Sequence, residues 1–180
     1  MDTYEIIAQA VGIAAMAFNI LSYQGKKQST VILLQLFGGT LFAVNYLMLG
    51  ATVGGILNII GAVRAIVFLF KDRLKTDRLP WLIAFIASYL VVYVLNFTVF
   101  GQEVNAFNLI IQILPVIGMV ALNIGYRLKD AAAVRRFALV SSPAWLTYNI
   151  VSGSVGAILC EIITLGSILI GMFRLDRVKK

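Results

Sequence analysis

Two formally charged side chains stand well inside long apolar runs of this chain: Arg64, within Gly61-Ala62-Val63-Arg64-Ala65-Ile66, and Glu161, within Ile158-Leu159-Cys160-Glu161-Ile162-Ile163. A charge at the centre of a hydrocarbon layer costs at least about 2.5–3.5 kcal/mol, so a functional reading comes first for the carboxylate. Glu161 makes coupling to protons conceivable; the plainer alternative is a protonated carboxyl bonded to a neighbouring helix, because buried acids neutralise. Counted along helices, Glu161 sits about 10 Å in from one surface and Arg64 about 20 Å in from the same surface, too far apart for an easy direct pair. Arg64 is about two turns from Lys71, so snorkelling to the nearer interface competes with a functional reading.

Around these two stand Asn45, Tyr46, Asn58, Trp145, Tyr148 and Asn149. Amides hydrogen-bond a polar solute and aromatic rings stack on it, so the eight residues together form a candidate solute-binding set. Tyr46, Tyr148 and Trp145 equally suit interfacial anchoring near helix ends. Asn19, Asn123, Gln35 and Gln112 read first as ties between helices. The chain has no histidine and only Cys160, which leaves no metal set and no disulfide framework. No nucleophile–base pair and no nucleotide-binding loop is recognisable either, so we expect neither an enzyme nor a cofactor.

The elements that must position these residues follow from composition. With 61% hydrophobic and 13% charged residues in 180, the chain has more apolar side chain than a soluble core of this size holds. Its solvent is lipid. Crossing a hydrocarbon layer of roughly 30 Å takes about 20 mostly apolar residues. Seven such spans are predicted, over 5–22, 30–49, 51–70, 80–99, 104–126, 136–151 and 154–173. The breaks at 50–52 and 152–154 are so short that the flanking helices form antiparallel hairpins. Met1-Asp2-Thr3-Tyr4-Glu5 is acidic where a secretory signal is basic, so the first span reads as a retained helix.

Of the 15 Lys and Arg residues, all but Arg64 fall at alternate breaks. They are Lys26 and Lys27; Lys71, Arg73, Lys75 and Arg78; Arg127, Lys129, Arg135 and Arg136; and Arg174, Arg177, Lys179 and Lys180. The other breaks, including Phe100-Gly101-Gln102-Glu103, hold none. Positive loops stay in the cytoplasm, which predicts an outer N-terminus and a cytoplasmic C-terminus. The net charge of +7 does not point to nucleic acid, because these clusters offer no continuous basic face.

An offset of 102 residues sets Thr52-Val53-Gly54-Gly55-Ile56-Leu57 over Ser154-Val155-Gly156-Ala157-Ile158-Leu159, and Tyr46 over Tyr148. The same offset brings Gly38-Gly39-Thr40 opposite Val140-Ser141-Ser142, just before Pro143, so helix-weakening residues recur at one depth. A duplicated three-helix unit is predicted, with residues 1–72 as the first bundle, 73–103 as a linker helix and 104–180 as the second. An odd number of crossings per unit plus one inverting helix gives both bundles the same orientation, related by an axis along the membrane normal. Gly54, Gly55, Gly61 and Gly156 allow close backbone approach, which is how helices associate in lipid.

The segments Leu114-Pro115-Val116-Ile117-Gly118 and Trp145-x-x-Tyr148-Asn149-x-x-x-Gly153-Ser154-x-Gly156-x-x-x-x-Glu161 resemble those of the bacterial inner membrane protein YgjV family. More distantly, the 3+1+3 plan is similar to that of the SWEET sugar transporters and the PnuC vitamin transporters. That resemblance implies a substrate site near the midplane between two bundles, contacted by asparagines on the third and seventh helices. Asn58 fits the first of those places; the offset puts Cys160 opposite it with Glu161 next along, so the asparagine pair and a sugar substrate are not implied. Pro115 alone stands where a first-helix proline recurs in such bundles. We therefore expect a transporter or facilitator of a small polar solute in the bacterial inner membrane, its bundles rocking about the Gly38-Gly39 and Pro143 regions. The alternative is a non-transporting receptor or assembly protein on the same scaffold, which a structure without a polar interior would favour. Lipid and the solute are the expected partners, and copies of the chain could pair with one another.

Overall fold

The computed structural model describes residues 3–50, 52–151 and 155–176, with side chains for all of these but 155 and 156. Every regular element among them is helical. In chain order these are α1 (Thr3–Ser22), α2 (Gln28–Met48), α3 (Thr52–Leu69), the single turn α4 (Lys71–Leu74), α5 (Leu79–Thr98), α6 (Ala106–Arg127), α7 (Ala131–Val151) and α8 (Val155–Gly171), followed by a π turn over Met172–Asp176. Local chemistry sets several boundaries. Gly50 closes the α2–α3 hairpin with a φ of 73°, a conformation that is open to glycine. Pro80 sits at the start of α5, where its missing N–H costs nothing. The Asn105 side chain caps α6 by accepting from the Asn108 backbone N–H at 2.8 Å. The predicted turn Ser152-Gly153-Ser154 and the basic residues Arg177, Lys179 and Lys180 lie outside the described residues, as does Ala51.

Among the described residues six helices are long and apolar enough to cross a membrane: α1, α2, α3, α5, α6 and the stretch Ala157–Asp176 that contains most of α8. The exception is α7, whose 21 residues include Arg135, Arg136, Ser141, Ser142 and Pro143. It also begins five residues before the predicted 136, which is a correction to the charge reading. The charge pattern predicts Arg135 to be a loop cation, whereas it is 2% exposed and lies within the helix. Its charge is met by tertiary partners and not by water.

The helices pack as a closed ring in chain order: α1 on α2, α2 on α3, α3 on α5, α5 on α6, α6 on α7, α7 on α8, and α8 back on α1. Two further contacts cross the interior, α3 with α6 and α2 with α7. Close approach at the ring seams depends on small residues. A Cβ on Gly55 would stand 2.7 Å from Leu47 Cδ2, and one on Gly118 would stand 2.9 Å from the indole of Trp145. Along α5, the rings of Trp81, Phe85 and Tyr89 follow one another at one-turn spacing, and Phe85 also meets Phe68 of α3. The fourth crossing segment thereby docks firmly on α3.

Polarity is distributed inside-out relative to a water-soluble protein. Large apolar side chains such as Ile13, Val63, Ile83, Val94, Ile110 and Ile162 are each more than half exposed around the outside. The interior holds Asn45, Arg64, Asn96, Asn123, Arg135, Ser141, Ser142 and Asn149, all buried. A continuous apolar exterior of this kind needs hydrocarbon around it.

Candidate functional site

The polar interior holds a cavity of about 90 Å³, lined by residues of α1, α2, α3, α6, α7 and α8 together with Tyr23. A volume of this kind has room for roughly half a dozen water molecules. Measured by helix rise from the end of the ring that carries no basic residues, Glu161 lies about 9 Å in along α8 and Arg64 about 18 Å in along α3. Both face the cavity, and among the described residues they are its only formally charged lining residues. Among the described residues no ion pair joins them, in keeping with the predicted difference in depth.

Arg64 does not snorkel. It is 3% exposed, and its Nη1 donates to the backbone carbonyl of Met119 at 2.9 Å and to the hydroxyl of Tyr89 at 3.2 Å. The guanidinium carbon stands 4.8 Å from the centroid of the Tyr126 ring, a cation–π contact. Its Nε is buried and has no hydrogen-bond partner. The Tyr126 hydroxyl in turn donates to Gln35 Oε1, while Gln35 Nε2 is buried and unpartnered. Arg64, Tyr126 and Gln35 therefore form a connected group with two unspent donors. Tyr89 belongs to α5, so the segment predicted as a linker helps to hold the arginine.

Nearer the neutral end, the Ser142 hydroxyl donates to the Glu161 carboxylate. Asn58 spends its Nδ2 on the Gly54 carbonyl of its own helix at 2.9 Å and presents its Oδ1 toward Gly39 across the cavity. Tyr46 and Trp145 complete this half, and each is less than 10% exposed.

Of the eight candidate residues, the cavity thus brings together Tyr46, Asn58, Arg64, Trp145 and Glu161. The other three are placed elsewhere. Asn45 clamps α2 to α1, its Nδ2 donating to the Ala8 carbonyl at 2.7 Å against the space left by Gly12. Tyr148 packs edge-on against Trp145, behind the lining, with ring centroids 5.9 Å apart. Asn149 is 1% exposed, with an unpartnered Oδ1. Sequence reasoning gave no binding role to Tyr23, Met119, Tyr126, Ser141, Ser142 or Cys160, all of which line the cavity. Ser142 carried a signal, since it precedes Pro143 at the repeat's weak point. Tyr126, beside Arg127 at a helix end, carried only the signature of an interfacial ring.

The basic end of the ring is tied shut by polar contacts. Arg135 of α7 donates to the carbonyls of Tyr23 at 3.4 Å and Gly25 at 2.9 Å in the α1–α2 turn, and its guanidinium pairs with Asp176. Gln24 donates to the Ser167 carbonyl at 2.8 Å, and the Ser167 hydroxyl donates to the Ile20 carbonyl at 2.7 Å, which seals α1 to α8. Gln28 reaches the Tyr126 carbonyl at 2.7 Å while its Oε1 accepts from Lys71 at 2.7 Å.

Among the described residues no group of three or more His, Cys, Asp or Glu side chains could hold a metal ion. No curated protein and no solved structure matches the chain significantly. The family Imp-YgjV, described as bacterial inner membrane protein, matches residues 6–179 and thus nearly the whole length. With apolar helices around a polar interior, and with a family match running almost from end to end, the chain is a multi-pass protein of the bacterial inner membrane and belongs to the Imp-YgjV family.

Proposed function

We propose that the protein is a transporter or facilitator of a small polar solute, working by alternating access between two three-helix units, α1–α3 and α6–α8. The observation that carries this reading is the cavity: both units line it, and it gathers polar side chains inside an apolar exterior. A receptor or assembly protein has no need of such a chamber.

Several features support a duplicated unit. The helices α2 and α7 are both 21 residues long and start 103 positions apart, at Gln28 and Ala131. If α1, α2 and α3 correspond to α6, α7 and α8, the contact of α1 with α8 has its counterpart in α6 with α3, and α2 with α7 lies on the axis. The weaker of the two equivalent seams is the one that α5 flanks. On this spacing Asn58 is the counterpart of Glu161, and both line the cavity. We take α7 as the seventh crossing, its polar face turned inward, with Gly38-Gly39 and Pro143 as the points about which the units rock.

The orientation proposed is an outer N-terminus and a cytoplasmic C-terminus, from the retention of positive loops inside. A reporter joined after Lys180 is expected to be active only in its cytoplasmic form; activity on the outer face would reverse the reading. Transport itself is tested by solute uptake into proteoliposomes holding the full chain, across a panel of small metabolites. Saturable flux that a thiol reagent blocks through Cys160, the only cysteine and a lining residue, is the expected result. Absence of saturable flux for every solute would remove the proposal.

A further inference from the structure

We infer that the cavity takes a small zwitterion, a solute carrying one carboxylate and one ammonium, with its carboxylate held at the Arg64–Gln35 end and its ammonium at Glu161. This rests on the transport reading for its purpose but not for its chemistry. A buried guanidinium is stable in a low-dielectric interior when a partner meets its charge. Here Arg64 has a carbonyl, a hydroxyl and a ring around it, with no carboxylate in ion-pair range among the described residues. Its Nε has nothing to donate to. Gln35, on another helix of the same wall, has its acceptor filled by Tyr126 and its Nε2 left unspent. The guanidinium lines the cavity as a cation with no counter-ion among the described residues, which calls for an anionic group there. A carboxylate meets that requirement, since it accepts at both oxygens.

The opposite charge is built at the other end. Glu161 lines the same cavity and receives only the Ser142 hydroxyl, so its carboxylate has acceptor capacity left over. Arg64 and Glu161 are the only formally charged lining residues among those described, so with Glu161 ionised the chamber carries opposite charges toward its two ends. A simple anion would meet Glu161 as a like charge, and a simple amine would meet Arg64. A neutral polyol would leave both ions unpaired. Only a solute with both signs satisfies both ends at once. The space limits its size, because a cavity of about 90 Å³ that holds roughly half a dozen waters admits a solute of about that many non-hydrogen atoms. Tyr46, Trp145 and Met119 supply the walls against which the carbon frame rests.

The test uses the purified full-length protein in detergent, equilibrium binding of radiolabelled L-alanine and β-alanine, and competition by propionate, ethylamine and glycerol. At least one of the two amino acids is expected to bind saturably and at least tenfold more tightly than each single-function competitor. Arg64→Gln and Glu161→Gln are each expected to weaken that binding at least tenfold while eluting as monodisperse protein. If Arg64→Gln fails to fold, Glu161→Gln, which preserves shape, and the wild-type competition series still decide. The inference is overturned if propionate, ethylamine or glycerol binds as well as the amino acids, if neither amino acid binds, or if both charge substitutions leave binding unchanged. The same solutes in proteoliposomes separate the two proposals. An amino acid that binds but is not carried upholds the zwitterion site and overturns transport; propionate or glycerol carried while neither amino acid binds does the reverse.

Discussion

Arg135→Ala is expected to destabilise the detergent-solubilised protein by about 3 kcal/mol, the lower end of the range found when one member of a buried ion pair is removed, because the Asp176 side chain is 20% exposed. Arg135 is 2% exposed and reaches three separate pieces of chain: the carbonyls of Tyr23 and Gly25 in the α1–α2 turn, and Asp176 in the π turn beyond α8. Alanine would leave Asp176 without its partner and two carbonyls without their donor, and would open a void where the guanidinium lay. The basic end would also lose the residue that joins α7 to both α1 and the end of α8. Thermal unfolding of the variant measures the loss. Arg135→Ala with Asp176→Asn separates the causes, because removing the orphaned charge should restore part of the stability while the lost carbonyl contacts persist. A variant that melts like the wild type would mean that Arg135 is solvated and the network does not hold the end together.

This arginine also marks where the sequence stops being legible. The apolar runs are visible because hydrocarbon thickness fixes the length of a crossing helix, and the helices α1, α2, α3, α5, α6 and α8 lie within a few residues of their predicted spans. The start of α7 is not legible because Arg135 and Arg136 look alike in sequence. One is sealed by distant carbonyls, and the other has a side chain 64% exposed. Nothing within a few residues distinguishes them; the difference lies 110 positions away, at Gly25. The same limit applies inside the cavity. Asn45 and Asn58 are both asparagines in apolar helices, and only helix rotation decides that one clamps the Ala8 carbonyl while the other faces the chamber. Glu161 and Ser142 are neighbours across a hairpin, so their meeting follows from a short turn. Gln35 and Tyr126, which are 91 positions apart, meet only because the ring closes.

Arg64→Met is expected to have the opposite effect on stability from Arg135→Ala, and a larger effect on function. The two arginines are equally buried, but their surroundings differ in the one respect that matters for a charge. Arg135 has a carboxylate, whereas Arg64 has a carbonyl, a hydroxyl and an aromatic face, and one of its donors is unused. A cation held without a counter-ion in a low-dielectric interior is a cost that the fold carries. Replacing buried ionic groups with apolar side chains of similar volume is often neutral or stabilising by about 1–4 kcal/mol, and methionine adapts well to an irregular gap. The Tyr89 hydroxyl would lose a partner, which offsets about 0.5–1.5 kcal/mol of the gain. Thermal unfolding of Arg64→Met should therefore start no lower than that of the wild type, and uptake of the transported solute should fall at least a hundredfold, a barrier change of about 2.7 kcal/mol. Stability that is kept or raised while flux disappears is the signature of a charge retained for a ligand. If Arg64→Met instead unfolds as readily as Arg135→Ala, the guanidinium is a structural tie between α3, α5 and α6, and the cavity has lost the cation on which its chemistry depends.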